Sequence, residues 1–228
     1  MLNVKFDFYN LSFFTIFIMS SIEEKHVKHI YNIIANEFDN TRYRPWTCVE
    51  KFLDSIDPNS SIGDIGCGNG KNMFYRKDCN NYGCDFSENL VNICLKKKLK
   101  VVVGDILNIP FKDNQFDNTI CIAVIHHLST IEKRKKAIQE LIRITKPNGR
   151  IIILVWAFEQ EKNSRRKFTK QDNMVDWKDK KGNILGKRYY YVFKENELES
   201  LLINNNNIII EKSFYEKSNW GLILKKEI

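Results

Sequence analysis

This sequence predicts an open α/β fold, a doubly wound and mostly parallel sheet that ends in an antiparallel hairpin. Three observations predict it. Short apolar runs alternate with amphipathic helical stretches through most of the chain, the pattern of strands joined by crossover helices. The glycine-rich stretch "DIGCGNGK" (64–71) follows the first of those apolar runs, where a doubly wound sheet carries its ligand loop. The last two apolar runs, "IIIEKSFYEK" and "NWGLILKK", are separated only by a turn and can pair antiparallel at the end of the sheet.

Each element has its own warrant. Residues 22–39 read as a helix because Val27, Ile30, Tyr31, Ile34 and Phe38 recur at helical spacing, with Glu23 and Glu24 in the first turn. Pro45 can open a second helix, roughly 46–55, with Val49, Phe52 and Leu53 on one side. "SIGDI" (61–65) is the first strand, and the glycine loop leads from it into a helix. "YGCDFS" (82–87) is the second strand, followed by a helix over 88–98 with Leu90, Ile93 and Cys94 in phase. "VVVGD" (101–105) and "FDNTICIAVI" (116–125) are the third and fourth strands. Ile131, Ala137, Ile138, Leu141, Ile142 and Ile144 mark an amphipathic helix over 130–145, and "KPNG" is a turn. The unbroken apolar run "RIIILVW" (150–156) suits a fifth strand buried on both faces. Residues 158–187 are polar and basic and read as a loop over one face. A helix near 195–203 and the connector Asn204–Asn207 lead to the final hairpin.

The chain has 228 residues, 43% of them hydrophobic, and a net charge of +8. That is one domain with a sizeable core, not a disordered chain. The charge favours a polyanionic partner, although heavy use of lysine and asparagine supplies part of it. The six cysteines form no CxxC pair and no zinc-finger spacing, so a reduced, intracellular protein with no metal site of its own is expected. "LSFFTIFIM" (11–19) is too short to span a bilayer. Lys5 before it and Ser20 and Ser21 after it allow a signal peptide, against which Asp7 and a poor cleavage site count. The preferred reading makes residues 1–20 an extension outside the working domain, with Met19 as the real start, and 21–228 that domain.

The glycine loop alone signals only a tight strand-to-helix turn or a phosphate-like ligand. Its company says more. Asp85 lies 19 residues after Gly66, at the end of the second strand, where an acid accepts from both hydroxyls of a ribose. Asp105 ends the third strand and can accept from an adenine amino group. Each alone can be a turn former or helix cap; together with the loop they describe an adenosine site. The glycines of Gly66, Gly68 and Gly70 are spaced GxGxG with Asp64 just ahead, not the GxGxxG of a dinucleotide fold.

"DIGCGNG", "CDFS", "VVVGDILNIPF" and "FDNTICIAVIHHL" resemble the successive motifs of class I S-adenosylmethionine-dependent methyltransferases. The resemblance implies S-adenosylmethionine as cofactor, held by Asp64, Gly66, Gly68, Gly70, Asp85, Asp105 and Ile106, and a Rossmann-like sheet with an antiparallel strand inserted beside the last parallel one. "FDNTRYRPW" (38–46), "IAVIHHL" (122–128), "VWAFEQEKNSRR" (155–166), "KRYYYVFKENELESLL" (187–202) and "SNWGLILKK" resemble a narrower family over residues 25–228. It comprises the eukaryotic tRNA wobble-uridine carboxymethyl methyltransferases. That implies methyl esterification of 5-carboxymethyluridine in tRNA, cytoplasmic or also nuclear. It further implies a heterodimer with a small zinc-binding activator protein that extends the sheet at the "VVVGDILNIPF" edge, and no membrane partner. That edge could instead be guarded by Lys96–Lys98 and Lys100.

A carboxylate has a pKa near 4, is already nucleophilic at neutral pH and needs no general base. One or two donors that aim it suffice. His126, Arg42, Arg165 and Arg166 are the candidates, with Tyr190 near them. His126 and His127 end the fourth strand on the substrate side; either can instead be a packed histidine. Arg42 and Tyr43 precede a Pro-Trp that can anchor a lid. Arg165 and Arg166 can position carboxylate or grip phosphate. Arg188 with Tyr189 and Tyr190 can meet RNA by charge and stacking, or pack in a strand. The family shows a His after the tyrosine pair, where this chain has Tyr191. Two other readings stand beside this one: a methyltransferase for a small-molecule or protein carboxylate, and a non-enzymatic subunit that keeps the fold to bind a partner.

Overall fold

The computed structural model of the protein describes residues 21–202 and 205–228. The expectations for residues 1–20, and part of the Asn204–Asn207 connector, lie outside them. A π-helical turn (Glu24–Lys28) leads into α1 (His29–Asp39), and α2 follows (Thr47–Asp54). Then come β1 (Ser61–Ile65), β2 (Asn80–Asp85), α3 (Glu88–Lys96), β3 (Val101–Val103), β4 (Phe116–Ile122), α4 (Ile131–Ile144) and β5 (Thr145–Trp156). The chain ends with β6 (Asp172–Lys178), β7 (Ile184–Tyr191), α5 (Glu197–Ser200), β8 (Ile208–Glu216) and β9 (Asn219–Lys226).

Seven strands form the main sheet in the order β3-β2-β1-β4-β5-β9-β8. The first five are parallel, and β9 enters antiparallel between β5 and β8. The strand order reverses beside β1, which opens a crevice at the carboxyl ends of β1 and β4. Period 2 along β5 feeds both faces. Ile151, Ile153 and Val155 join the core under α4, and Ile152 and Leu154 join the core under α2. All five are at most 1% exposed, as the unbroken apolar run requires.

Side-chain caps start two helices: Ser87 Oγ accepts from Leu90 N–H and Thr130 from Lys133 N–H. The KPNG turn is a bulge that shifts the β4–β5 register from Phe116–Thr145 to Asn118–Arg150, with Asn148 at φ 63°.

Four expectations need correction. Residues 158–187 are not one loop: β6 and β7 form an antiparallel sheet of their own. In β6, Val175 and Trp177 are flanked by exposed or polar Met174, Asp176 and Lys178, so a two-faced strand read as merely polar. The glycine loop enters turns over residues 71–75, not a regular helix. The helix near 195–203 is the single turn α5. The fourth strand stops at Ile122, because Ala123 takes φ 63° and the chain turns into a 3-10 turn, Ile125–His127.

The segment 21–40 lies across the carboxyl edge of the sheet. Glu23 is buried, and it accepts from Ser129 N–H and Oγ (2.8 and 2.7 Å) and from Lys133 Nζ (2.6 Å). Burial alone would raise its pKa; Lys133 and Ser129 outweigh that and hold it at about 2. Among the described residues no helix is long and apolar enough to cross a membrane, and all six cysteines are free thiols.

Glu23→Gln is expected to cost about 2 kcal/mol of unfolding free energy at pH 7, the worth of a charged hydrogen bond. The folded carboxyl lies below its ordinary 4.5. Its contribution is therefore complete above that pH and lost as pH falls through about 2. Urea midpoints of the two proteins should converge over that window.

Candidate functional site

The crevice has two ends. At the first, Gly66, Gly68 and Gly70 have φ of 74°, 57° and 78°, a region that only glycine enters freely. A Cβ on Gly66 would lie 2.2 Å from the Val124 side chain, and one on Gly70 2.2 Å from Leu99. The loop is tied to β2 by the N–H groups of Gly66 and Cys67 on Cys84 O, and by Gly68 N–H on Asp85 Oδ2 (2.8 Å). Asp85 Oδ1 accepts from Ser87 N–H (2.9 Å). Asp85 is thus a staple as well as a ligand candidate. Each carboxylate oxygen has a second lone pair for a ribose hydroxyl. Asp105 Oδ1 accepts from Leu107 N–H (2.9 Å), leaving Oδ2 for another donor. Asp105 and Ile106 line an apolar cavity with Val27, Phe86 and Gly66.

Asp64 carries the clearest mark of a missing partner. It is 1% exposed; Oδ2 accepts only a long bond from Asn72 (3.4 Å), and Oδ1 accepts none. Burial pushes its pKa up to about 7. A buried carboxyl with a free oxygen beside a glycine loop fits the ammonium of an amino acid. The α1 segment covers this end: Asn32 Oδ1 accepts from Ser87 Oγ and Asn89 N–H, and Asp39 Oδ1 accepts from Asn69 Nδ2 and Lys97 Nζ.

The second end is aromatic and cationic. Trp156, at the end of β5, stacks on Tyr190 of β7 with ring centres 4.0 Å apart. His126 packs against both rings, and its Nδ1 accepts from Trp156 N–H (3.0 Å). With Nδ1 accepting, the neutral ring carries its proton on Nε2, a donor with no protein partner among the described residues. Burial, His127, Arg188 and Arg166 hold His126 well below the ordinary histidine range. His127 is different: Nδ1 donates to Tyr189 O (2.7 Å), so Nε2 accepts from Tyr31 Oη–H (3.0 Å). Burial keeps it neutral, with a pKa of about 3. Both of its nitrogens are used, and it is a packed histidine. Tyr31 Oη accepts in turn from Arg188 Nη1 (3.3 Å) and faces Tyr190 Oη at 3.5 Å.

Arg188 is 5% exposed. It lies 4.8 Å from the Trp177 ring centre and 5.1 Å from that of Tyr190, and its Nε has no partner. Arg166 sits 4.0 Å over Trp156. Partial burial, Arg188 and Arg42 act together to pull its pKa down, against Tyr190. Arg42 lies over Phe38 and donates only to Thr41. Lys71, over Trp46, is brought down to about 8 by burial and by Arg42. Among the described residues none of these four cations has a carboxylate partner.

Several sequence expectations therefore move. Arg42, Arg166, His126, Arg188 and Tyr190 come together, but Arg188 and Tyr190 are buried in this wall, not displayed as an RNA-facing platform. Arg165 is exposed and makes no contact with the cluster. Tyr43 is 78% exposed, its hydroxyl bonded to Asn40 O. Tyr191 faces Phe193, Arg134 and Glu197, away from Trp156, so its difference from the family's His lies outside the cluster. Tyr31, Trp177 and Lys71 were not foreseen as site residues, because Tyr31 satisfies helix periodicity and Trp177 lies in the stretch read as a polar loop. Trp156 had an available signal, a tryptophan at the carboxyl end of a parallel strand.

Residues 63–153 match the family model described as a methyltransferase domain. A tRNA (carboxymethyluridine(34)-5-O)-methyltransferase of Schizosaccharomyces pombe is 38% identical over 90% of this chain and 97% of its own length. The chain belongs to this family. A mouse protein of the same name is 38% identical over 85% of the chain, which spans 30% of it; the chain covers under half the length of several such relatives. The fold is also that of the Haloferax volcanii putative methyltransferase solved in complex with the Trm112 methyltransferase activator (TM-score 0.65, 13% identity, 89% of this chain and 98% of that one). S-adenosylmethionine is the family's methyl donor. Here the free Asp64 oxygen fits its ammonium, Asp85 its ribose, and the cavity by Asp105 and Ile106 its adenine.

Gly66→Ala is expected to weaken S-adenosylhomocysteine binding at least about tenfold, measured by calorimetry. That is ~1.4 kcal/mol, within the cost of a side chain in the left-handed region even before the Val124 clash.

Proposed function

We propose that the protein transfers the methyl group of S-adenosylmethionine to the carboxylate of 5-carboxymethyluridine at the tRNA wobble position, forming the methyl ester. One observation carries this reading beyond family membership. Arg188, Arg166 and Arg42 converge without an anion beside the donor-holding loop; Arg188 among them is buried, and a guanidinium buried without an anion is costly until one arrives. A substrate carboxylate supplies that anion.

The bound donor supplies an electrophilic methyl on a sulfonium. The protein's part is to bring the carboxylate in line with it and exclude water. Arg188 and Arg166 attract the carboxylate; His126 Nε2–H is a neutral donor able to aim one oxygen. Trp156 and Tyr190 form an apolar wall beside the uracil. No residue takes a proton, since the nucleophile arrives ionised.

An activator protein fits the edge strand β3. Val102 and Val103 there are 43% and 46% exposed, and strand addition would cover them.

Incubation with labelled methyl donor and either tRNA from cells lacking the enzyme or small carboxylic acids tests the reading. Label in wobble carboxymethyluridine supports it, and label only in small acids would sink it. Arg188→Met should lower kcat/KM for tRNA by about a hundredfold or more, in the range of losing a buried charged contact, while S-adenosylhomocysteine binding persists. At saturating donor, where a bound ammonium keeps Asp64 ionised, kcat should show no histidine or carboxylate step from pH 6 to 9; a change at about 8 is expected only from loss of the Lys71 charge. The carboxylate is ionised throughout, and His126 and His127 stay neutral with folded pKa values below that window.

A further inference from the structure

We propose that the tip and outward face of the β6–β7 hairpin form the surface that grips the phosphate backbone of the RNA, so that one hairpin both walls the reaction site and holds the polyanion outside it. This rests on the tRNA reading above. Residues 159–188 hold ten Lys or Arg against five Asp or Glu, a net +5 of the chain's +8.

What the acids do decides the character of the face. Asp179 accepts from the N–H groups of Lys181 and Asn183 and from the Asn183 side chain. Asp172 accepts from Tyr189, and Glu159 from Trp220. These carboxylates are occupied by neutral donors, and the first two shape the hairpin. Lys178, Lys180 and Lys181 are exposed and, among the described residues, unpaired; Lys187 meets Asp176 only at 4.0 Å. Elsewhere cations such as Arg76, Lys97, Lys133 and Arg143 are paired at 2.5–2.8 Å. Unneutralised lysines on one projecting element are the footprint of a phosphate partner. Met174 and Ile184, 44% and 52% exposed among them, add apolar surface for sugars and bases.

The spacing suits one substrate reaching both places. Arg188 pairs with Val175 in the hairpin, and the turn Asp179–Asn183 lies five residues farther along β7. At about 3.3 Å per residue that sets the tip roughly 15 Å from the carboxylate-facing guanidinium. A nucleotide flipped into the site leaves its neighbours' phosphates at distances of that order. Arg165 and Lys167, also exposed, lie a few residues ahead of β6 in the chain.

The test is a triple charge reversal, Lys178→Glu with Lys180→Glu and Lys181→Glu, in the full chain. Binding of tRNA is measured over a salt series, with S-adenosylhomocysteine calorimetry on the same samples. The expected result is at least tenfold weaker tRNA binding and a log–log salt slope reduced by about two, at roughly 0.7–0.9 per phosphate contact. Cofactor-product binding should be unchanged, and the milder triple Lys→Gln variant should fall between. Unchanged affinity and slope, with product binding intact, would overturn the proposal and leave the face a solvated one. Loss of binding to an acidic protein with tRNA binding intact would overturn it in favour of that partner. If the unmutated chain itself binds no tRNA, the functional reading fails as well.

Discussion

The site depends on the polar latch that holds the segment 21–40 across the carboxyl edge of the sheet. Glu23 ties its start to Ser129 and Lys133, Asn32 its middle to Ser87 and Asn89, and Asp39 its end to Asn69 and Lys97. These ties join the helix to three connections between strands: β1–β2, β2–β3 and β4–β5. Once they are made, Phe38 lies against Gly68, Ile30 against Gly186, and Tyr31 reaches His127. The glycines at 68 and 186 are what let the helix approach so closely. The roof over the donor end and the seat for β7 are therefore one constraint, and a helix that frays would open both.

Electrostatics explains why the two ends differ. The proposed reaction joins a sulfonium and a carboxylate, so charge disappears at the reacting atoms as the bond forms. A tight bidentate ion pair would hold the carboxylate in its ground state and slow transfer. The structure offers something softer. Arg188 is held against the faces of Trp177 and Tyr190 and by one phenolic oxygen, and Arg166 over Trp156. Cation–π contacts spread each guanidinium's interactions over rings, leaving fewer N–H groups aimed at any one point. Asp64 supplies the opposite sign at the donor end. The crevice is thus polarised along its length, negative where a cation binds and positive where an anion binds.

Much of this was legible in the sequence because it is encoded by period and spacing. The five parallel strands, the glycine loop and the acids at 64, 85 and 105 are where pattern reading puts them. The hairpin over 172–191 was not legible, for a physical reason. A two-stranded sheet whose first strand and turn stay largely exposed, and which packs mainly through β7, needs few apolar residues, and Lys and Asp filled the rest. For Arg188 and Tyr190 the sequence left RNA contact and strand packing both open, since burial of an arginine among rings is a tertiary fact. His126 and His127 are adjacent and look alike in sequence; only Trp156 N–H and Tyr189 O distinguish them, by fixing opposite tautomers.

The β6–β7 hairpin shows how much a period of two can carry. Trp177 faces inward onto Phe38 and Arg188, while its neighbours Asp176 and Lys178 face solvent. Inward residues build the wall of the site; outward ones carry the exposed lysines that the proposal assigns to a polyanion. A one-residue slip in register would exchange the two faces, burying lysines and exposing Trp177. The bulge between Trp177 and Lys178 lies where the inward wall ends and the basic turn begins. On the proposed reading, substrate choice rests on an element that stands outside the main sheet, so its outward face can carry charge without disturbing the packing that holds the donor loop.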